Sequence, residues 1–273
     1  MKNDENSNNR PLVSVIIPTR DRAQLLPEAV GSVADQDYEP IEIIVVDDGT
    51  SEKAFQDIAS SLKAFSNVRI LQTGGNEGSS ASRNIGIDSV HGEYITFLDD
   101  DDLMVKGKVS GQVDLMQSCE ADFVSCSRFY YVVGEFQELR GFKTDQIKLS
   151  DMWVRNRIIS VSPMGTRELI SSLRFDPTLT TGVDYDLWLR CLLKCKKTVN
   201  YQEPAIYHRR FYDSASETGR RWRKFKGRFI ILRKFRAYIP LKWQLYHVMV
   251  SFAKLLVPDP HLTMFRLKSA FLK

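Results

Sequence analysis

Val13-Ser14-Val15-Ile16-Ile17 is a short β-branched run ended by Pro18, and Ile41 to Val46 is a second, ended by Asp47-Asp48-Gly49. Between them Leu25, Leu26, Ala29, Val30 and Val33 recur at helical spacing, so the first unit reads strand, helix, strand. The alternation predicts a helix from about Glu52 to Phe65, a strand at Val68–Gln72, a helix at Ser79–Ser89 and a strand at Tyr94–Leu98. Four strands with unbroken apolar runs, each separated by a helix, predict an α/β sheet covered on both faces. Ligands of such sheets bind beyond the carboxyl ends of the strands. Asp21, Asp47, Asp48 and Asp99 to Asp102 sit at those ends, so carboxylates are expected on one edge. After residue 120 the pattern shortens to Phe123–Ser127 and Phe129–Phe136, then helices near Ser150–Asn156 and Asp184–Lys194. This half is expected to pack on the sheet within one domain.

Composition changes the picture in one respect. The chain has 273 residues and a net charge of +4, with 43% hydrophobic residues, which excludes disordered and collagen-like classes. The charge is segregated: from Arg220 onward there are 14 Lys/Arg and a single acid, Asp259, leaving 24 basic and 33 acidic residues before it. An acidic body of about −9 therefore precedes a basic appendage of about +13. Cys119, Cys126, Cys191 and Cys195 lack paired CxxC spacing and are expected as reduced thiols in a reducing compartment. Met1 to Arg10 is polar with no apolar core of a signal peptide, so export is not expected.

Four consecutive acids at Asp99-Asp100-Asp101-Asp102 repel one another unless a cation or hydrogen-bond donors offset the charge. Oxygen-only ligands with no adjacent Cys or His favour a hard divalent cation, Mg²⁺ or Mn²⁺. At most two or three of the four side chains can reach one ion. The alternative is a solvated acidic turn that caps the next helix. Asp47-Asp48-Gly49-Thr50-Ser51 reads as a ligand-accepting turn, a cap in which Ser51 starts the helix at Glu52, or both. A receiver domain also gathers acids at strand ends, but its acidic pair follows the first strand and its length is about half. Gly74-Gly75-Asn76-Glu77-Gly78 runs into a helix whose amides and dipole suit an anion, without a P-loop lysine. Arg83, one turn inside, faces either solvent or the carboxylate edge.

Taken in series, these motifs resemble family 2 glycosyltransferases of the GT-A fold. The resemblance rests on Ser14-Val15-Ile16-Ile17-Pro18-Thr19, Val45-Val46-Asp47-Asp48-Gly49-Thr50, Asn76-x-Gly78 with Ser82-Arg83-Asn84-x-Gly86, Phe97-Leu98-Asp99-x-Asp101-Asp102, and Gly182-Val183-Asp184-Tyr185-Asp186-Leu187-Trp188 continuing to Arg190. It covers roughly residues 12–215 and implies a Rossmann-like, mostly parallel sheet flanked by helices. It further implies an inverting enzyme that takes a sugar from a nucleotide-sugar donor, UDP-linked, to a glycan or lipid-linked acceptor, with Mn²⁺ or Mg²⁺ as cofactor.

By the same resemblance, Pro18 and Thr19 line the nucleotide pocket, Asp48 receives the N3–H of a uracil-like base, and Arg83 approaches the base or diphosphate. Asp101 binds the ribose or shares the metal site, Asp102 holds the metal, and Asp184 is the catalytic base. Tyr207-His208-Arg209-Arg210 stands where family members carry a basic loop: His208 is a candidate metal ligand, and Arg209 and Arg210 are candidate phosphate contacts or a solvated surface loop. Two departures stand out. Val183 replaces the Glu common before the base, and Arg20-Asp21-Arg22 replaces an aromatic–Asn pair. Asp186, two residues past the base, is expected as a helix N-terminal charge.

Arg220 to Arg236 holds nine basic residues and no acid, with Trp222, Phe225, Phe229, Leu232 and Phe235 at intervals of three or four. That stripe reads as an interfacial helix, apolar face in the lipid boundary and cations toward anionic headgroups, or as a helix packed on the acidic body. No nucleic-acid motif accompanies it. Trp243 to Val257 is mostly apolar but shorter than the ~20 residues of a membrane span. The expected organisation is a disordered tail at 1–11, a catalytic domain at 12–219 and a basic amphipathic helical tail at 220–273. The enzyme is then peripheral on the cytoplasmic face of the membrane. The competing readings are a nucleotidyltransferase on a related sheet and a catalytically silent membrane adaptor.

Overall fold

A computed structural model describes residues 10–159, 161–209 and 217–256. Strands β1 (Val13–Thr19), β2 (Ile41–Asp47), β3 (Val68–Gln72) and β4 (Tyr94–Phe97) are parallel neighbours. They alternate with α1 (Leu26–Ala34), α2 (Glu52–Ser61) and α3 (Ser79–Ser89). All seven residues of β1 are buried, including Ser14 and Thr19, because helices cover both faces and no side chain of the pleat meets water. Helix α2 stops four residues short of the expected Phe65, with Leu62 at its C-cap. Ser51 occupies the N-cap position of α2, but its side chain makes no capping bond, so that part of the expectation is corrected.

The later half is more ordered than its sequence pattern. It contains β5 (Leu103–Met104), α4 (Lys108–Ser118), β6 (Phe123–Cys126), β7 (Phe129–Val133), β8 (Phe136–Arg140), α5 (Leu149–Met152), β9 (Met164–Thr166), α6 (Arg167–Leu173), α7 (Val183–Lys194), β10 (Thr198–Tyr201) and β11 (Ile206–Arg209). The main sheet has the order β10-β6-β9-β4-β1-β2-β3, in which β9 runs antiparallel to both β4 and β6. A second sheet has the order β5-β11-β7-β8. The expected run Phe129–Phe136 is split by a tight turn at Gly134, whose φ of 56° suits a residue without Cβ. Trp188 on α7 is fully buried and meets the rings of Phe97, Phe123 and Phe175, which fixes α7 against β4 and β6. All four cysteines are free.

Among the described residues, 178–182 and 217–256 form a compact unit of their own. Its described helices are α8 (Glu217–Lys234) and α9 (Leu241–Leu256). The stripe read from sequence as one apolar face divides: Leu232 and Phe235 are buried, while Trp222 is exposed. Among the described residues, no helix is long and apolar enough to cross a membrane.

Candidate functional site

The strand register brings the site together. Thr19 at the end of β1 pairs with Asp47 at the end of β2, and Ile16 pairs with Phe97, so the segments after Pro18, Asp47 and Leu98 emerge side by side. A cleft of about 480 Å³ lies there, lined by Pro18, Thr19, Arg20, Arg22, Asp48 and Arg83, with Asp99, Asp100 and Asp101 beside them. Gly49 is required by packing as well as by its φ of 81°: a Cβ there would stand 2.6 Å from Gly75 Cα, so the two loops bordering the cleft could not close together.

The acidic run is folded by a turn in which Asp102 N donates to Asp99 O at 3.1 Å. Asp99, Asp101 and Asp102 then present oxygen atoms within 4.8 Å of one another. Asp100 turns away, accepting from Thr19 Oγ1 at 2.7 Å and Arg22 Nη1 at 2.8 Å. Three converging carboxylates form a hard, oxygen-only donor set that fits a divalent cation such as Mg²⁺ or Mn²⁺. Cations of the chain already crowd the cluster: Arg83 Nη2 lies 2.5 Å from Asp99 and Arg22 Nη1 2.6 Å from Asp101. Burial pushes the Asp102 carboxyl above the usual carboxylate range, opposed by the hydrogen bond and charge of His208 and reinforced by Asp99 and Asp101.

His208 meets the cluster through Asp102, its Nδ1 standing 3.0 Å from Asp102 Oδ2. Arg209 clasps the same turn, its backbone N donating to Asp102 Oδ1 at 2.9 Å and its Nε to Asp101 O at 2.6 Å, while its guanidinium pairs with Glu28. Arg210 lies outside the described residues. Asp48 is nearly buried and accepts from Glu77 N and Gly78 N, both at 2.8 Å, and from Thr73 Oγ1 at 3.0 Å. It therefore braces the glycine-rich loop, with about one of its roughly four lone-pair sites left over.

Asp184 stands in the first turn of α7, half-buried, and its Oδ2 accepts from Asn156 Nδ2 at 3.1 Å. Burial raises its carboxyl above the ordinary value; the backbone N–H of Tyr185 and the charge of Arg83 pull it down, and Asp99 adds to the rise. Asp184 is thus within electrostatic reach of both Arg83 and Asp99. Asp186 stands in the first turn of α7, the helix N-terminal charge expected from sequence, and does more than that. It is fully buried and paired with Arg190 at 2.6 Å, and Arg190 also donates to the carbonyls of Leu173 and Arg174.

The family model of glycosyl transferase family 2 matches residues 14–169, and that of glycosyl transferase family group 2 matches residues 94–269. The chain belongs to glycosyl transferase family 2. An uncharacterized glycosyltransferase of Haemophilus influenzae is 29% identical over 72% of this chain and 78% of its own length. A GalNAc(5)-diNAcBac-PP-undecaprenol beta-1,3-glucosyltransferase of Campylobacter jejuni is 37% identical over 37% of this chain, and the match spans only 33% of that relative. Among solved structures, S. aureus TarS 1-349 in complex with UDP-GlcNAc is similar with a TM-score of 0.68 at 18% identity, covering 89% of this chain and 72% of that one. The mannosyltransferase PcManGT of Pyrobaculum calidifontis, in complex with GDP-Man and Mn2+, gives a TM-score of 0.64 at 15% identity, covering 97% and 81%. The fold is GT-A, and neither the nucleotidyltransferase nor the adaptor reading is favoured.

Of the residues singled out from the family resemblance, Pro18, Thr19, Asp48, Arg83 and Asp101 line one cleft. Asp102 is buried beside Asp99 and Asp101, and His208 and Arg209 brace it. Sequence reasoning passed over Asp99 as a third ligand, Arg22 as the partner of two carboxylates, and Asn156 as the partner of Asp184. A signal existed for Arg22, a cation four residues after Pro18 where the family carries a neutral pair. None existed for Asn156, which reaches Asp184 across 28 positions of chain.

Proposed function

We propose that the chain is a metal-dependent, inverting glycosyltransferase that takes a sugar from a UDP-linked donor to a hydroxyl of a glycan or lipid-linked acceptor, in the building of a surface polysaccharide or glycolipid. The observation that carries this reading is the convergence of Arg22, Arg83, Asp99 and Asp101 in one cleft, with Asp102 completing the carboxylate cluster and Asp184 in electrostatic reach of Arg83 and Asp99. In this reading Pro18 and Thr19 border the nucleotide and Asp48 takes the base N–H with its remaining lone pair. Arg22 and Arg83 exchange carboxylate partners for the diphosphate. Asp184 accepts the proton of the acceptor hydroxyl as that oxygen attacks the anomeric carbon from the side opposite the leaving group. Asp99, Asp101 and Asp102 would hold a divalent cation, which would supply positive charge against the negative charge gained by the departing diphosphate. Support comes from the solved neighbours, which hold UDP-GlcNAc in one case and GDP-Man with Mn2+ in the other. The Campylobacter relative, named for an undecaprenol-linked acceptor, supports a lipid-borne acceptor. An enzyme serving such an acceptor works as a peripheral protein at the cytoplasmic face.

The test is a panel of UDP- and GDP-sugars offered to the full chain with Mn²⁺ or Mg²⁺. Release of nucleoside diphosphate, dependent on the metal and on Asp184, with a product of inverted anomeric configuration, is the expected result. Pyrophosphate release from a nucleoside triphosphate, or no diphosphate from any donor, overturns it.

A further inference from the structure

Among its described side chains, helix α9 turns three large apolar groups outward and two polar ones inward. Leu241, Leu245 and Met249 recur every four residues and are 68%, 56% and 72% exposed. At 1.5 Å per residue they form one row about 12 Å long. The same helix buries His247 and Ser251, and Arg228 of α8 donates to Ser251 Oγ at 3.4 Å. A water-facing helix does the reverse, turning its apolar stripe inward. Tyr238 and Tyr246 are exposed as well, as are the cations Arg233, Lys234, Arg236 and Lys242 of the same helical pair and its connection.

We infer that the row Leu241, Leu245 and Met249 is the face by which this chain enters the headgroup–acyl boundary of an anionic phospholipid surface. The inference rests on the peripheral-membrane reading above and replaces the α8 stripe as the membrane-facing element, since Leu232 and Phe235 of that stripe are buried. Charge selects the occupant. Residues 220–273 carry 14 Lys/Arg against one acid, so a second copy would bring like charge to like charge, whereas anionic headgroups neutralise it. Length selects the mode: no described helix is able to span, so α9 lies along the surface with tyrosines at its border.

The experiment is flotation of the full chain with vesicles of phosphatidylcholine alone and with about one third phosphatidylglycerol, whose anionic headgroups attract the cations beside the surface. Two variants are compared, Leu241→Ser/Leu245→Ser/Met249→Ser and Arg236→Glu/Lys242→Glu; all five positions are exposed, and circular dichroism checks their fold. The expected result is binding of the unmodified chain to anionic vesicles, weakened at least tenfold in each variant, with the first variant losing salt-resistant binding. If the unmodified chain does not float with anionic vesicles, the peripheral reading falls and the face with it. If it floats and the triple variant floats equally well, only the face is wrong. A triple variant that keeps vesicle affinity but turns from dimer to monomer in sedimentation overturns the lipid assignment in favour of a second copy.

Discussion

Asn156 Nδ2 donates to Asp184 Oδ2 at 3.1 Å, while Asn156 Oδ1 accepts from Ile158 N, so a neutral amide anchored to its own loop holds the carboxylate at the start of α7. Burial has raised the Asp184 carboxyl, and the backbone N–H of Tyr185 and the charge of Arg83 oppose that rise; the Asn156 amide is a further donor to the ionised form, which it favours. A general base works when deprotonated, so turnover should climb as pH rises through this raised value. Asn156→Ala removes a donor to the anion and should move the acidic limb of kcat/KM to higher pH, with donor affinity little changed. Asp184→Asn should lower turnover by about 10²–10⁴-fold with donor binding preserved. A limb that stays put in Asn156→Ala, or retained turnover in Asp184→Asn, would remove Asp184 from the role.

Arg22 lies 2.8 Å from Asp100 and 2.6 Å from Asp101, so part of the negative charge that would attract a cation is already answered by the protein. Arg22→Ala should therefore split two affinities that usually move together. Mn²⁺ alone should bind more tightly, by up to about fivefold given the half-exposed guanidinium, while a nucleoside diphosphate binds more weakly. Manganese titration by electron paramagnetic resonance and calorimetry with the diphosphate read the two separately. Parallel losses in both would show that Arg22 merely holds the turn.

The N-terminal sheet was legible because β1, β2 and β4 are largely buried, which leaves apolar runs, and because β2 and β4 run into acids, while β3, half-exposed at the sheet edge, showed through Val68, Ile70 and Leu71 and the glycines that follow it. Strand β3, helix α3 and the placing of Asp47, Asp48 and Asp99 to Asp102 on one edge follow from that pattern alone. What escaped has a common cause. Strand β9 is three residues, Met164–Thr166, and pairs antiparallel between β4 and β6, so neither its length nor its direction leaves a periodic trace. Strand β5 has two residues and owes its place to β11, about a hundred positions away. The site shows the same division: ligand-bearing acids sit in local motifs, whereas Asn156 and Glu28 act on Asp184 and Arg209 through tertiary contact.

Lys108 is fully buried in the first turn of α4 and donates to Thr96 Oγ1 at 2.6 Å, while Thr96 Oγ1 donates onward to Pro163 O. Burial pulls its ammonium down to about 7. Between that value and the ordinary value of about 10.4, the unfolded chain binds the proton that the folded chain gives up, so stability should rise with pH across this window and be lost as pH falls toward 7. The slope from this one group is at most about 1.4 kcal/mol per pH unit. Lys108→Met leaves Thr96 bonded to Pro163 and should flatten the rise in urea midpoint from pH 7 to 10 while increasing stability at pH 7. An undiminished slope in the variant would assign it elsewhere.

Asp48 offers the sharpest separation of a bracing role from a recognition role. Its Oδ1 takes Thr73 Oγ1 and Glu77 N, and its Oδ2 takes Gly78 N, so both oxygens are committed to the loop that leads into α3. In Asp48→Asn the amide oxygen can keep one side only, and the new NH₂ faces a backbone N–H, leaving a nearly buried donor unpaired at a cost of about 1–3 kcal/mol. The loop that carries Gly78 at a φ of 91° should then open, taking the N-terminus of α3 and the approach of Arg83 to Asp99 with it. Hydrogen exchange should lose protection at Glu77 and Gly78, and donor affinity should fall for every nucleotide tested. Were Asp48 purely a reader of the base, exchange would be unchanged and only the preference among nucleotides would shift, because the loop would stand without it. The two outcomes differ in the free protein, before any donor is added, so exchange measured without ligand decides between them.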